Sequence, residues 1–201
     1  MNDCFHDNTY SLWHLFRDRQ RHILHELLET TWQQIEASFR HIYEHNYTIM
    51  QIMRGMNIPL PKALSTPAEF ILNQDLCREI RSEEISVARL QALAEGARRL
   101  SLQLDEATIR FTASRKIDEL MSRFEESPSD VDLLETIESA IRISGSIVSE
   151  LDLQKAQNIF FALRKEYYPE MRARADRGDQ LGKKWIEHFN DLARSLGVVV
   201  Q

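Results

Sequence analysis

Seven histidines and 31 acidic residues could support metal or acid–base chemistry, so their spacing is the first question. His22 and His25 are three residues apart and His41 and His45 four apart, so each pair can share one face of a helix. Two imidazoles hold a metal only with a third ligand and with groups that orient the rings. Neither motif that would supply that set in sequence is present. His25-Glu26 is followed by Leu27, Leu28 and Glu29 rather than by the second histidine of a zinc-protease motif. The Glu-x-x-His signature of di-iron bundles is not repeated on other segments. Surface or hydrogen-bonded histidines are therefore the favoured reading, and no metal or other cofactor is expected. A metal-dependent helical enzyme would need His22, His25, His41 or His45 to converge with a carboxylate.

Paired acids can hydrolyse glycosides when they flank a bond. Here Glu83-Glu84 and Glu125-Glu126 fall at predicted helix ends and read as solvated charge. Neither a Gly-x-Ser-x-Gly elbow nor a glycine-rich phosphate loop occurs, so no catalytic residue is assigned. Polar residues embedded in apolar surroundings are more specific: Arg17, Asp18, Gln20 and Arg21 in the first helical segment, Glu69 and Asn73 around Phe70-Ile71-Leu72, and Gln157-Asn158 before Ile159-Phe160-Phe161. Buried polar groups must find partners. Gln20, Arg21, Glu69, Asn73, Gln157 and Asn158 are expected to form a structural network tying the first helix to the proline-rich segment; a polar ligand surface is the alternative. Aromatic rings can stack on sugars or fill a core, and at helical spacing the core is the default. Tyr10, Trp13 and Tyr47, with Arg17 and Asp18, are the candidates for a surface facing a sugar or a partner domain.

These residues must be positioned by helices. Apolar residues recur every three or four positions from Leu12 to Met53, in a stripe through Leu24, Leu28, Trp32, Ile35, Phe39, Ile42 and Met50. The spacing predicts one long helix or a helix pair, with a break at Thr30-Thr31 or Asn46 favoured because uncapped helices of that length are uncommon. After Gly55, Pro59, Pro61 and Pro67 predict a stiff extended strap, ended by Thr66 as N-cap, Pro67 at the first helical position and Glu69 completing a capping box. Further helices are expected after Ser86, Asp105, Asp130, Asp152 and Asp179, with a restart at Pro169. Strand alternation is absent. The predicted fold is all-α: an irregular lead-in over 1–8, then a single helical domain over 9–201, with two lobes meeting near 127–130.

Composition narrows the class. With 6 Gly and 5 Pro in 201 residues, chain breakers are few, which favours long helices. A net charge of −6 argues against nucleic acid as a partner of the whole chain. Cys4 and Cys77 are the only cysteines, too few for a disulfide framework or a thiolate metal site. The absence of a basic start followed by an apolar run, and of any run long enough to span a bilayer, predicts a cytoplasmic protein without membrane contact.

Three groups of residues carry a resemblance: Tyr10-Ser11-Leu12-x-His14-Leu15-Phe16-Arg17-Asp18-x-Gln20-Arg21-x-Ile23-Leu24; Pro59-Leu60-Pro61-Lys62-Ala63-Leu64 with Ala68-Glu69-Phe70-x-Leu72-Asn73; and Ala156-Gln157-Asn158 with Tyr168-Pro169. Together they resemble the family designated domain of unknown function 3536, over nearly the whole chain from about Phe5. In that family a helical region normally follows a catalytic module similar to glycoside hydrolase family 57, which acts on α-glucans with two carboxylates in a parallel barrel. The resemblance implies a helical C-terminal accessory domain that packs on such a barrel, in cis or in trans, and shapes its glucan cleft. It implies no catalysis by this chain alone, since no βα alternation precedes Thr9, although the parent protein would be a glycosidase or transferase. A stand-alone helical module that binds another protein is the alternative.

Overall fold

The computed structural model describes residues 17–83 and 85–198, with side chains described from Leu28 onward. The described residues form eight helices and no strand: α1 Arg17–Gly55, α2 Lys62–Arg81, α3 Val87–Leu100, α4 Glu106–Glu126, α5 Val131–Ile147, α6 Gln154–Glu166, α7 Tyr168–Asp176 and α8 Gln180–Ser195. The all-α expectation holds. Four of the anticipated helix starts are capped by their own side chains. Ser86 accepts from the Arg89 amide, Asp105 from Thr108, Asp130 from Leu133 and Asp179 from Leu181. At the fifth, Leu153 is the N-cap, and Asp152 Oδ1 accepts from the Gln154 amide at 3.3 Å. Pro169 lies in the first turn of α7, and Gly178, at φ +93°, makes the left-handed turn before Asp179.

Two expectations about the first third of the chain need correction. The long helix is not broken: α1 runs for 39 residues, ~58 Å at the helical rise. Asn46 and Ser38 do not interrupt it, because their side chains bond back to the carbonyls of Ile42 and Gln34, each at 2.8 Å. The helix ends at Gly55, after which the Ile58 amide reaches back to the Met53 carbonyl at 2.8 Å and Asn57 takes the left-handed position at φ +57°.

The proline strap is also shorter than expected. Only the residues between α1 and Lys62 are non-helical, and α2 begins with Pro61 as its N-cap. The Leu64 and Ser65 amides both reach the Pro61 carbonyl at 2.9 Å. Thr66 is therefore an exposed helical residue and Pro67 the sixth residue of α2, not a cap and a first position. Pro67 has no N–H to offer the Ala63 carbonyl one turn back, but Ala63 is exposed, so water can satisfy it. Packing overrides the local preference: Leu60 and Leu64 pack with Tyr43 and Tyr47 beside buried Met50, Ala68 and Leu100.

The largest core lies in the second half. There α4, α5, α6 and α8 enclose Phe124, Phe160, Trp185 and Phe189. Phe160 and Trp185 lie on either side of Phe189, with ring centroids at 4.4 and 4.5 Å. The Trp185 indole N–H donates to the Pro128 carbonyl at 2.7 Å, which ties the α4–α5 break to this core. α4 also places Ile109 and Ala113 in a second cluster with Leu76, Ile80 and Leu90. α4 thus spans both clusters, whereas the described part of α1 packs at the edge, chiefly against α2 and α3.

Candidate docking face on α1

From Leu28 to Gly55, a single α1 residue, Met50, is classed as buried. Four charged side chains clamp this helix to α2 beside its apolar contacts. Arg40 donates to both oxygens of Asp75, at 2.9 and 2.7 Å, and to Glu36 at 3.0 Å. Arg78 returns to the same carboxylates, donating to Glu36 at 2.7 Å and to Asp75 at 3.0 Å. Arg78, foremost, and Arg40 hold the Glu36 carboxyl below the usual glutamate range, and Asp75 raises the Arg40 guanidinium above its ordinary value. Beside this clasp Phe39 meets Phe70 edge to face at 5.2 Å. Tyr43 and Tyr47 meet in the same way at 5.6 Å, and burial pushes the Tyr43 hydroxyl up to about 12.

The clasp fixes the register. Arg40 meets Asp75 and Glu36 meets Arg78, so the helices run antiparallel. One turn further back on α1 is Trp32, and α2 has by then ended at Arg81. Leu28, Trp32, Phe39, Tyr43 and Met50 are spaced 4, 7, 4 and 7 residues apart and so lie along one line of α1. The inner part of that line packs on α2. The outer part does not: Leu28 is 53% and Trp32 56% exposed. A second exposed apolar group, Ile49, Ile52 and Met56, lies roughly a third of a turn around α1, with Ile58 beyond it in the connection to α2.

The residues singled out in the sequence separate into distinct places. Tyr10 and Trp13 lie outside the described residues. Arg17, Asp18, Gln20 and Arg21 belong to the first turns of α1, with side chains outside the described part. Tyr47 is half-buried against Tyr43 in the seam. Among the described residues, Glu69 and Asn73 bond to the α3–α4 connection rather than to α1. Glu69 accepts from the Gln103 amide at 3.2 Å, and Asn73 accepts from the Asp105 amide at 2.7 Å. They secure the α3–α4 connection because both face it from one side of α2. Gln157 donates to the Leu196 carbonyl at 2.9 Å, joining α6 to the end of α8, while neighbouring Asn158 is exposed. The network is thus several separate struts among the described residues.

The α1–α2 clasp was missed by sequence reasoning. The Glu36–Arg40 spacing was visible as a helical pair, but its partners lie 35 and 42 residues away. His41 and His45 stack at 5.7 Å on the exposed side of α1. Among the described residues, no group of three or more His, Cys, Asp or Glu side chains is arranged to hold a metal ion. Among them, too, no helix is long and apolar enough to cross a membrane. Compared with known proteins, the chain matches no family model, no curated protein and no solved structure.

Proposed function

We propose that this chain is a non-catalytic helical module that docks through α1 on a catalytic partner. The partner is the family 57-like carbohydrate-active module that the sequence resemblance implies, upstream on the same chain or as a separate protein in the cytoplasm. One observation carries the docking half of this reading. The face of α1 that packs on α2 continues past the end of α2, leaving Leu28 and Trp32 uncovered. Large apolar side chains in a row on a helix are the usual anchors of helix-mediated recognition. The Ile49, Ile52 and Met56 group, at the end of α1 beside the proline segment, offers a second contact area. The resemblance supplies the other half, the nature of the partner and the wall it would form along an α-glucan cleft, by analogy of architecture.

Coexpression of the chain with the family 57-like catalytic module of its own genome tests both halves. The expected result is co-elution of the two proteins, lost in a Leu28→Glu, Trp32→Glu double variant whose circular dichroism is unchanged. A catalytic module that elutes apart from the wild-type chain would sink the proposed partner. If the wild-type chain instead retains a protein without a glycosidase module, again through Leu28 and Trp32, the stand-alone interaction module replaces the accessory domain.

A further inference from the structure

On α4, away from the docking face, two grooves share the walls Phe111 and Arg115. One, of about 290 Å³, is lined also by Arg81 from the end of α2 and by Thr112, Lys116 and Glu119. The other, of about 490 Å³, adds Arg110, Ser114, Asp118 and Asp152. Their charges differ. The first sets three cations against the single carboxylate of Glu119, whereas the second balances Arg110 and Arg115 against Asp118 and Asp152.

The smaller groove has buried polar groups at its base. Lys116 is 5% exposed, yet among the described residues its ammonium has one partner, Glu119 at 3.1 Å, and Glu119 is itself 57% exposed. An ammonium carries three donors, and a charge withdrawn from water is costly when its donors are unmatched. Thr112 is buried beside it and accepts from Arg81 at 3.5 Å. Arg115 is exposed and has no protein partner among the described residues. In the larger groove, Arg110 Nε and Asp118 Oδ1 are withdrawn from solvent with no hydrogen-bond partner. Between the two grooves the Phe111 ring is 68% exposed, although it sits on a helix whose other large apolar residues are buried.

We propose that this double groove binds a small organic anion: its carboxylate or phosphate sits between Arg81, Arg115 and Lys116, and its apolar body lies across Phe111 toward the larger groove. Guanidinium forks match the oxygens of both head groups. The volumes are of the size of small-ligand sites. The ring supplies the apolar contact that an inorganic ion cannot use.

Titration of the full chain by calorimetry, with phenyl phosphate, benzoate, inorganic phosphate and benzyl alcohol as probes, tests this site. Phenyl phosphate or benzoate is expected to bind at least about tenfold more tightly than inorganic phosphate or benzyl alcohol. The tighter of the two acids identifies the head group. Arg115→Gln is expected to weaken that binding about tenfold, and Phe111→Ala to reduce it to the level of the inorganic ion. Both residues are exposed, so neither change threatens the fold. Binding of the tighter acid no stronger than that of inorganic phosphate, unchanged binding of that acid in Arg115→Gln, or no binding of either acid would overturn the proposal.

Discussion

Asp75 is 12% exposed and receives both Arg40 and Arg78, so it is the most enclosed acid of the α1–α2 clasp. Removing it leaves the half-buried Arg40 with Glu36 alone. Asp75→Ala should therefore lower the unfolding free energy by about 1–3 kcal/mol, read from urea denaturation. Arg78 is 57% exposed, and its loss should cost about 0.5 kcal/mol or less because solvent screens it. The clasp also sets a pH dependence. Glu36 has a lowered carboxyl pKa in the folded chain, so its contribution is present above the ordinary value of 4.5 and fades as pH falls through the lower folded value. The stability difference between wild type and Glu36→Gln should shrink as the solution is acidified below 4.5. Parallel curves for the two proteins across that range would refute this account.

At the scale of elements, helix starts were legible where the cap residue follows a true break. Asp105, Asp130 and Asp179 are read correctly because nothing nearby competes with their caps. Thr66-Pro67-x-Glu69 carries the same wording, but the helix had already begun at Lys62, where Leu64 anchors its first turn on the tyrosines of α1. Nothing local distinguishes the two cases; the deciding contact comes from a distant segment. The clasp was illegible for the same reason. The difference is measurable: Asp105→Ala should cost about 1 kcal/mol as a lost cap, while Thr66→Ala should change stability by less than about 0.5 kcal/mol. A loss of similar size at Thr66 would restore the capping reading. Gly182 gives a second test at this scale. A Cβ there would lie 2.9 Å from the Ala175 amide nitrogen, so the glycine is what lets α7 and α8 approach. Gly182→Ala should destabilise by about 1–3 kcal/mol, visible as a lower midpoint in denaturant.

Across the whole molecule, protection should decline along α1 from Met50 back to Leu28. The described core centres on α4, α5 and α8, and α1 joins it through Met50, the tyrosine pair and the clasp. From Gln34 back to Leu28 every residue of the helix is exposed. Amides from Leu28 to Gln34 should thus exchange with solvent well before those from Phe39 to Met50, since local opening is easiest where few buried contacts resist it. The tryptophans give an independent readout. Trp32 is exposed, whereas Trp185 is fully buried between Phe124 and Phe189 and donates to the Pro128 carbonyl. Trp32→Glu should leave the unfolding midpoint unchanged, while Trp185→Ala should cost about 3–5 kcal/mol. When the partner binds, exchange should slow specifically over the segment that was fastest in the free chain. Slow exchange from Leu28 to Gln34 in the free protein would mean that this face is already covered, and the docking assignment would then have to move to another part of the molecule.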